Sequence, residues 1–150
     1  MKVIIAVGIL GLILTSCGSR EPLEVKQFTV RNIEDGWSDD LLVRGEVQKR
    51  LYGVLEQADR EKRKGQYYSA RWRAAPTGGP VKVRFQYRQA ATGSKLRELV
   101  HTVPSTKGTG VVEFAIAGDS YIKGGRVLAW RMILSQGGVD LGEKKSFLWD

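Results

Sequence analysis

A strict alternation of apolar and polar residues is the feature of this chain that most constrains its fold. Within residues 81–88, every second position carries an apolar or aromatic side chain: Val81, Val83, Phe85 and Tyr87. Because successive side chains of a strand point to opposite faces, this period of two predicts a strand with one face on a core and one in water. A helix would instead place its apolar residues three or four positions apart.

The same period of two recurs along the chain, between turns rich in glycine and proline. Strands are predicted at 23–30, 67–73, 81–88, 95–103, 111–117, 126–136 and 139–149. Two of them have the predicted inward-facing sets Tyr68, Ala70 and Trp72, and Leu128, Trp130, Met132 and Leu134. Gly137-Gly138 predicts a tight hairpin turn before the last strand. About seven or eight short antiparallel strands at this spacing predict an all-β protein, specifically a β-sandwich.

The segment 41–55 supports two interpretations. Its apolar residues recur at every fourth position, as in a helix: Val43, Val47, Leu51 and Leu55. Ser38 would then cap that helix. A strand pattern of period two is also present, at Val43, Gly45, Val47, Lys49 and Leu51. Because Gly45 and Gly53 disfavour a helix interior, we favour a strand here. Residues 56–64 are highly charged helix formers and predict one short solvated helix that ends at Gly65.

Residues 1–16 have the composition of an export signal that is removed from the mature protein. Lys2 supplies a positive charge, and the uncharged apolar run 3–14 follows it. About a dozen apolar residues are too few to cross a hydrocarbon core ~30 Å thick, which takes roughly 20. The segment therefore predicts secretion rather than a membrane-spanning helix.

The signal ends in Leu14, Thr15, Ser16 and Cys17, which resembles the lipobox of bacterial lipoproteins: an aliphatic residue, two small residues and a cysteine. The resemblance implies that Cys17 becomes the mature N-terminus and carries covalent lipid, and two or more acyl chains anchor a protein stably. The alternative, an ordinary signal peptide, would leave a reactive thiol in an exported protein. In bacteria with two membranes, an Asp directly after the cysteine resembles an inner-membrane retention signal. Gly18 occupies that position here, and the absence of the Asp favours the outer membrane, facing the periplasm.

The mature chain has the length of one domain, residues 23–150, after a short lipidated tether at 17–22. Cys17 is the only cysteine, so the core must form without a disulfide. The formal net charge of +8 falls to +7 when Lys2 is removed. This excess favours approach to anionic envelope surfaces, and export argues against nucleic acid as the partner. The alternative is that the charge only keeps the domain soluble.

The strand pattern over residues 66–149 resembles that of fibronectin type III and immunoglobulin-like domains. Trp72 lies where the second strand of type III domains carries its core tryptophan, and 81–87 is similar to their third strand. Tyr121, in Gly-Asp-Ser-Tyr, is similar to the tyrosine corner, whose hydroxyl bonds back to the backbone. The resemblance implies a sandwich in which the third and sixth strands are neighbours. The segment 23–65 has no clear counterpart in these domains.

Residues that carry catalytic chemistry are scarce in this chain. His101 is the only histidine and lies on a predicted strand surface, and Cys17 is committed to lipid. A zinc site needs three or four Cys, His or carboxylate ligands. The acidic loop 32–40 lacks the spacing of a calcium-binding loop, and its residues are those that turns use. We therefore expect no enzyme activity, no catalytic residues, no metal site, and no cofactor beyond the covalent lipid on Cys17.

Four cations are expected to share the outer face of one sheet in the type III arrangement: Lys82, Arg84, Arg88 and Arg131. Arginine suits the recognition of phosphate and carboxylate groups, so this face is a candidate contact for an anionic partner. The alternative is that outward-facing strand residues are polar because they meet water and protect the sheet from aggregation.

Trp37 and Trp149 are the aromatic residues that a core explains least. They are candidates for stacking on sugars or for contact with a partner, and the alternative is that each covers an end of the sandwich. Together these observations predict a non-enzymatic, membrane-anchored envelope lipoprotein that binds an envelope protein or an anionic envelope polymer. A carbohydrate- or peptidoglycan-binding module is the alternative function, and a hydrolase is a third.

Replacing the predicted lipidation residue tests the anchor. Cys17→Ser should leave an unprocessed precursor without the mobility change that lipid causes in gel electrophoresis, because neither acylation nor cleavage can proceed without the thiol. Membrane fractionation and metabolic labelling with a fatty acid check this outcome. Normal cleavage and anchoring of the variant would overturn the assignment.

Overall fold

The computed structural model describes residues 20–149. The signal 1–16, Cys17 and Gly18 lie outside the described residues. The strands are β1 (Leu23–Val30), β2 (Gly65–Arg73), β3 (Val81–Gln89), β4 (Arg97–Val103), β5 (Thr109–Ala117), β6 (Val127–Gln136) and β7 (Val139–Lys145). The helices are α1 (Leu41–Leu51), α2 (Gln57–Glu61) and α3 (Asp119–Gly124), with 3₁₀ turns at Glu34–Trp37 and Ala90–Thr92. No helix within 20–149 is long and apolar enough to cross a membrane.

Two antiparallel sheets form the sandwich. The smaller sheet has the order β1-β2-β5 and the larger one the order β4-β3-β6-β7. The third and sixth strands are neighbours, as the type III resemblance implies, with Phe85 opposite Met132. The turn at Gly137-Gly138 joins β6 to β7, and both glycines have positive φ, as a two-residue hairpin turn requires. The predicted fold class, an immunoglobulin-like β-sandwich, is confirmed.

Aromatic side chains from both sheets meet in the core around Phe85. Its ring centroid lies 4.6 Å from that of Tyr68 and 5.2 Å from that of Phe114, both on the smaller sheet. Trp72 is buried on β2, as predicted. Burial raises the pKa of the Tyr68 hydroxyl well above its usual range, so this group stays protonated. The alternation of β2 and β3 therefore places large side chains in the contact between the sheets.

One of the predicted inward positions on β6 is wrong. Leu128 is 38% exposed, whereas its neighbour Val127 belongs to the core. The register against β3 shifts between Arg88 and Gln89, so β6 has one extra residue there. Such a bulge turns the strand by one residue and reverses which side chain points inward. Beyond the bulge, Met132 and Leu134 are buried as predicted.

The segment 41–55, for which a strand was favoured, forms helix α1 over most of its length. Asp40 caps it instead of Ser38: the Asp40 carboxylate accepts hydrogen bonds from the backbone N–H groups of Leu42 at 2.9 Å and Val43 at 3.2 Å. Gly45 is exposed and packs against nothing, so its presence in the helix costs only its intrinsic propensity of about 1 kcal/mol. The tertiary contact of the opposite helix face offsets this cost.

Helix α1 covers the outer face of the smaller sheet, and this is how the segment 23–65 joins the sandwich. Val47 of the helix packs with Val30 and Tyr67 in a second small core. Arg50 lies 4.2 Å over the ring of Tyr67 and pairs with the carboxylates of Glu46 and Glu113. The side chain of Arg50 is almost fully buried, so it fixes the helix on the sheet by charge and by packing.

The charged segment 56–64 contains the predicted short helix, α2, although its end differs from the prediction. The helix ends at Glu61 with Lys62 as its C-terminal cap. Gly65 is the first residue of β2 instead of the residue that ends the helix. An ion pair of 2.7 Å between Lys62 and Asp59 raises the pKa of the lysine and lowers that of the aspartate, and both groups are solvent-exposed.

The predicted tyrosine corner at Tyr121 is not present. Tyr121 lies in helix α3, and its hydroxyl makes no hydrogen bond to any residue within 20–149. The connection from β5 to β6 is held by Gln89 instead. Its buried Nε2 donates to the carbonyls of Ser120 and Gly125, both at 2.9 Å. A Cβ at Gly124 would lie 2.5 Å from the Gln89 side chain, so the amide fits only because that position is glycine.

A second buried amide, that of Gln136, holds the loops at the opposite end. Its Nε2 donates to the carbonyls of Ala75 and Gly79, both at 2.8 Å, and to the hydroxyl of Ser105 at 3.2 Å. Its Oε1 accepts from the backbone N–H of Ala75 at 3.2 Å. One side chain thus satisfies the backbone of the β2–β3 turn and links it to the β4–β5 loop.

Gln136→Ala should destabilise the protein by about 2–4 kcal/mol, because it leaves several part-buried backbone groups without partners. Urea unfolding followed by tryptophan fluorescence measures the change. Gln57→Ala is the matched control, since Gln57 is exposed on α2, and it should stay within about 0.5 kcal/mol of the parent. A Gln136→Ala variant as stable as this control would contradict the assigned role.

Candidate binding surfaces

The four cations predicted on one face lie on the outer side of the four-stranded sheet, where β3 and β6 are neighbours. Two of them have charged partners. Arg84 lies 3.4 Å from the carboxylate of Asp140, and Arg131 lies 3.9 Å from that of Glu143. Arg131 also donates to Oε1 of Gln86 at 3.1 and 2.8 Å. Half of the positive charge on this face is therefore paired with carboxylates.

Trp149 packs on the same face. Its ring lies 4.8 Å from the guanidinium carbon of Arg88 and 5.2 Å from that of Arg131, and the residue is only 8% exposed. The predicted last strand ends at Lys145, and the following residues carry this tryptophan back over the sheet. Trp149 is thus a packed part of the domain and is not free to stack on a ligand. Lys82 is exposed and pairs with no carboxylate among residues 20–149.

Trp37 lies in a different environment, on the helical segment between β1 and β2. It is 83% exposed, and Tyr52 at the end of α1 is 91% exposed. The same segment also exposes Leu41, Leu42 and Leu55. We call these five residues the apolar helical surface. All five lie within residues 37–55, and a concentration of exposed apolar side chains is typical of an interaction surface.

A shallow hollow of about 200 Å³ adjoins the apolar helical surface. Trp37, Leu51 and Arg60 line it together with Gln48. The guanidinium of Arg60 donates to the carbonyl of Val54 at 3.1 Å, which ties α2 to the connection that follows α1. The hollow thus combines one exposed indole with an amide and a fixed cation, a combination that can accept a sugar or a partner side chain.

A cleft between β1 and β6 was not found by sequence reasoning. It has a volume of about 440 Å³ and opens where β6 extends beyond the end of β7. Its lining residues are Gln27, Thr29, Arg31, Gln66, Tyr121, Arg126, Val127, Leu128 and Leu148. These residues come from five separate segments of the chain, so no local motif indicates them. The one available signal was the pair of arginines that directly follow β1 and directly precede β6.

His101 is exposed on β4, and its ring lies edge-on against Phe114 at 4.9 Å. Within residues 20–149 no group of three or more His, Cys, Asp or Glu side chains is placed to hold a metal ion. The acidic loop contributes the 3₁₀ turn at Glu34–Trp37 and the Asp40 cap, so part of its acidic composition serves local structure.

The comparisons with known proteins add little to this picture. No protein-family model matches the chain, and no curated protein matches it. Among solved structures, an immunoglobulin-like protein from Pseudomonas aeruginosa is similar, with 18% identity over 54% of this chain and 69% of the other. The TM-score is 0.37. The strand order itself defines an immunoglobulin-like sandwich, an architecture consistent with a binding or structural module.

The two candidate tryptophans should differ in their effect on stability. Trp149→Ala should cost about 2–4 kcal/mol, because it removes a buried ring together with two cation–π contacts. Trp37→Ala should change stability by less than about 0.5 kcal/mol, because that side chain is mostly in water. Urea unfolding of both variants checks the contrast, and equal effects would contradict the two assigned environments.

Proposed function

We propose that the protein is a lipid-anchored, non-enzymatic binding module of the bacterial cell envelope. The lipobox-like Leu14–Cys17 supports the anchor, with covalent lipid on Cys17 as its only prosthetic group. The sandwich would then lie at the membrane surface, at the outer membrane facing the periplasm where two membranes exist. The scarcity of histidine and cysteine supports a binding role over a catalytic one.

The apolar helical surface is the observation that carries the binding role. Trp37 and Tyr52 keep more than four fifths of their surface in water, which a soluble domain gains nothing from unless a partner covers it. Aromatic residues such as these supply much of the binding energy where proteins meet. An envelope protein with a complementary apolar surface is therefore the partner class we propose.

The position of this surface in the domain also suits a tethered binding module. Leu23, next to the tether, pairs with Trp72, whereas Val30 at the far end of β1 pairs with Gly65. An eight-residue strand is about 23 Å long between its end residues. The helical segment follows Val30, so it emerges at the end of the strand opposite the tether and would be held away from the anchoring membrane.

An anionic polymer is a less favoured partner, because two of the four cations on the outer sheet face are paired with carboxylates. A carbohydrate- or peptidoglycan-binding role is the second candidate function. Its support is the exposed indole of Trp37 beside Gln48 and Arg60, since a sugar can stack on the ring and bond to the polar groups. Trp149 does not contribute to that candidate because it is covered.

Photo-crosslinking in living cells tests the partner. A photo-activatable phenylalanine derivative at position 42 or 52 should give one discrete adduct with an envelope protein, because these residues lie on the apolar helical surface. The same derivative at position 139 is the matched control, since Val139 is also exposed but lies at the opposite end of the domain. Mass spectrometry of the purified adduct identifies the partner.

The other outcomes are equally specific. Identical adducts from all three positions, or none from positions 42 and 52, would overturn the proposed surface. Co-sedimentation with isolated cell walls that persists at physiological salt and is lost in Trp37→Ala would instead support the glycan-binding candidate. Co-sedimentation that disappears as salt screens charge over a Debye length of about 8–10 Å would support an anionic polymer.

A further inference from the structure

The cleft between β1 and β6 is cationic. Two arginines line it, Arg31 directly after β1 and Arg126 directly before β6, and its described lining includes no aspartate or glutamate. Neither guanidinium has an ion pair or a side-chain hydrogen bond with any side chain that the structure describes. Arg84 and Arg131, in contrast, are both paired with carboxylates. The cleft thus concentrates unpaired positive charge at a concave site, where electrostatic attraction of an anion is strongest.

The remaining polar groups of the cleft are mainly donors. Gln66 is 6% exposed, and its Oε1 accepts from the backbone N–H of Val127, which leaves its NH₂ group as the free end. The Oε1 of Gln27 is likewise engaged, by the indole N–H of Trp130 at 3.2 Å. The hydroxyl of Tyr121 has no partner among the described residues. Because the amide oxygens of this site already accept hydrogen bonds from the protein and its donors are free, the site favours a ligand rich in hydrogen-bond acceptors.

An apolar strip completes the cleft. The bulge in β6 turns Leu128 out of the core, and Leu148 of the C-terminal segment also lines the cleft. Both side chains are exposed, so a ligand that covers them gains apolar burial. The bulge therefore has a consequence for binding, because a regular strand would have put Leu128 into the core and Val127 outside.

We propose that this cleft binds a small molecule whose phosphate or carboxylate group lies between Arg31 and Arg126 and whose uncharged part lies on Leu128 and Leu148. The guanidinium fork matches both anions, so the shared chemistry is an oxyanion. A volume of about 440 Å³ suits a ligand of metabolite size. The site goes beyond the proposed partner surface, and it requires neither that surface nor the lipid on Cys17.

Calorimetric titration of the protein, purified from cells in a neutral detergent, tests the site. The probes are phenyl phosphate, benzoate and benzyl alcohol, which share one ring and differ in their polar group. At least one of the two anions should bind at least tenfold more tightly than benzyl alcohol. Preference for phenyl phosphate or for benzoate distinguishes a phosphate-bearing ligand from a carboxylate-bearing one.

The variant Arg31→Gln/Arg126→Gln should weaken the preferred anion at least tenfold. The control Arg71→Gln/Lys107→Gln removes the same total charge from exposed positions outside the cleft and should change binding less than twofold. All four side chains are exposed, so both variants should keep the urea midpoint of the parent. In ¹H–¹⁵N spectra, the Gln66 side-chain NH₂ and the Val127 amide should shift on titration.

Three results would overturn the proposal. The first is that neither anion binds at concentrations up to about 10 mM, because an affinity weaker than that is too low for a specific site. The second is an equal loss of affinity in the cleft variant and in the control, which would show attraction by net charge alone. The third is binding with no shift at Gln66 or Val127, which would place the anion elsewhere on the protein.

Discussion

The contact of Phe85 with the opposite sheet is the interaction on which the rest of the structure depends. A sheet with an apolar face must bury that face against another layer, and here the inner faces of the two sheets pack on each other. Tyr68 and Phe114 supply that face, within 4.6–5.2 Å of the Phe85 ring. Aromatic pairs of this kind contribute about 0.5–1.5 kcal/mol each beyond the burial of their area. This packed scaffold positions both surfaces that we propose for binding.

The helical segment between β1 and β2 covers the outer face of the smaller sheet. Its outer face carries Tyr67, which would otherwise be exposed, and α1 covers it through Val47 and Arg50. Only one side of a single helix can pack on the sheet, and the segment that leads to and from it is short. The apolar side chains on its other side therefore remain in water, and this is the surface that we assign to partner binding.

Charge is distributed differently over the two cationic regions of the protein. On the outer face of the larger sheet, acidic residues of β7 meet Arg131 of the neighbouring β6 and Arg84 of β3, the next strand beyond it. In the cleft, β7 has already ended, so no strand offers a carboxylate to Arg31 or Arg126. The position at which β7 ends thus separates the arginines that pair with its carboxylates from those that line the cleft.

Sequence alone was sufficient wherever a residue's environment follows from its immediate neighbours. Period-two alternation predicted the strands and the burial of Trp72, Val83 and Phe85, because a pleated strand faces the core at every second residue. The lipobox-like motif that ends in Cys17 is also local, and lipidation at this cysteine stays a prediction. Tertiary structure decided the rest: a helix at 41–51, where packing on the sheet outweighed the cost of a glycine, and the exposure of Leu128, which depends on a register shift against another strand. The pairing of cations and the cleft at Arg31 and Arg126 likewise depend on which distant strands meet, and such contacts leave no periodic signal in the chain.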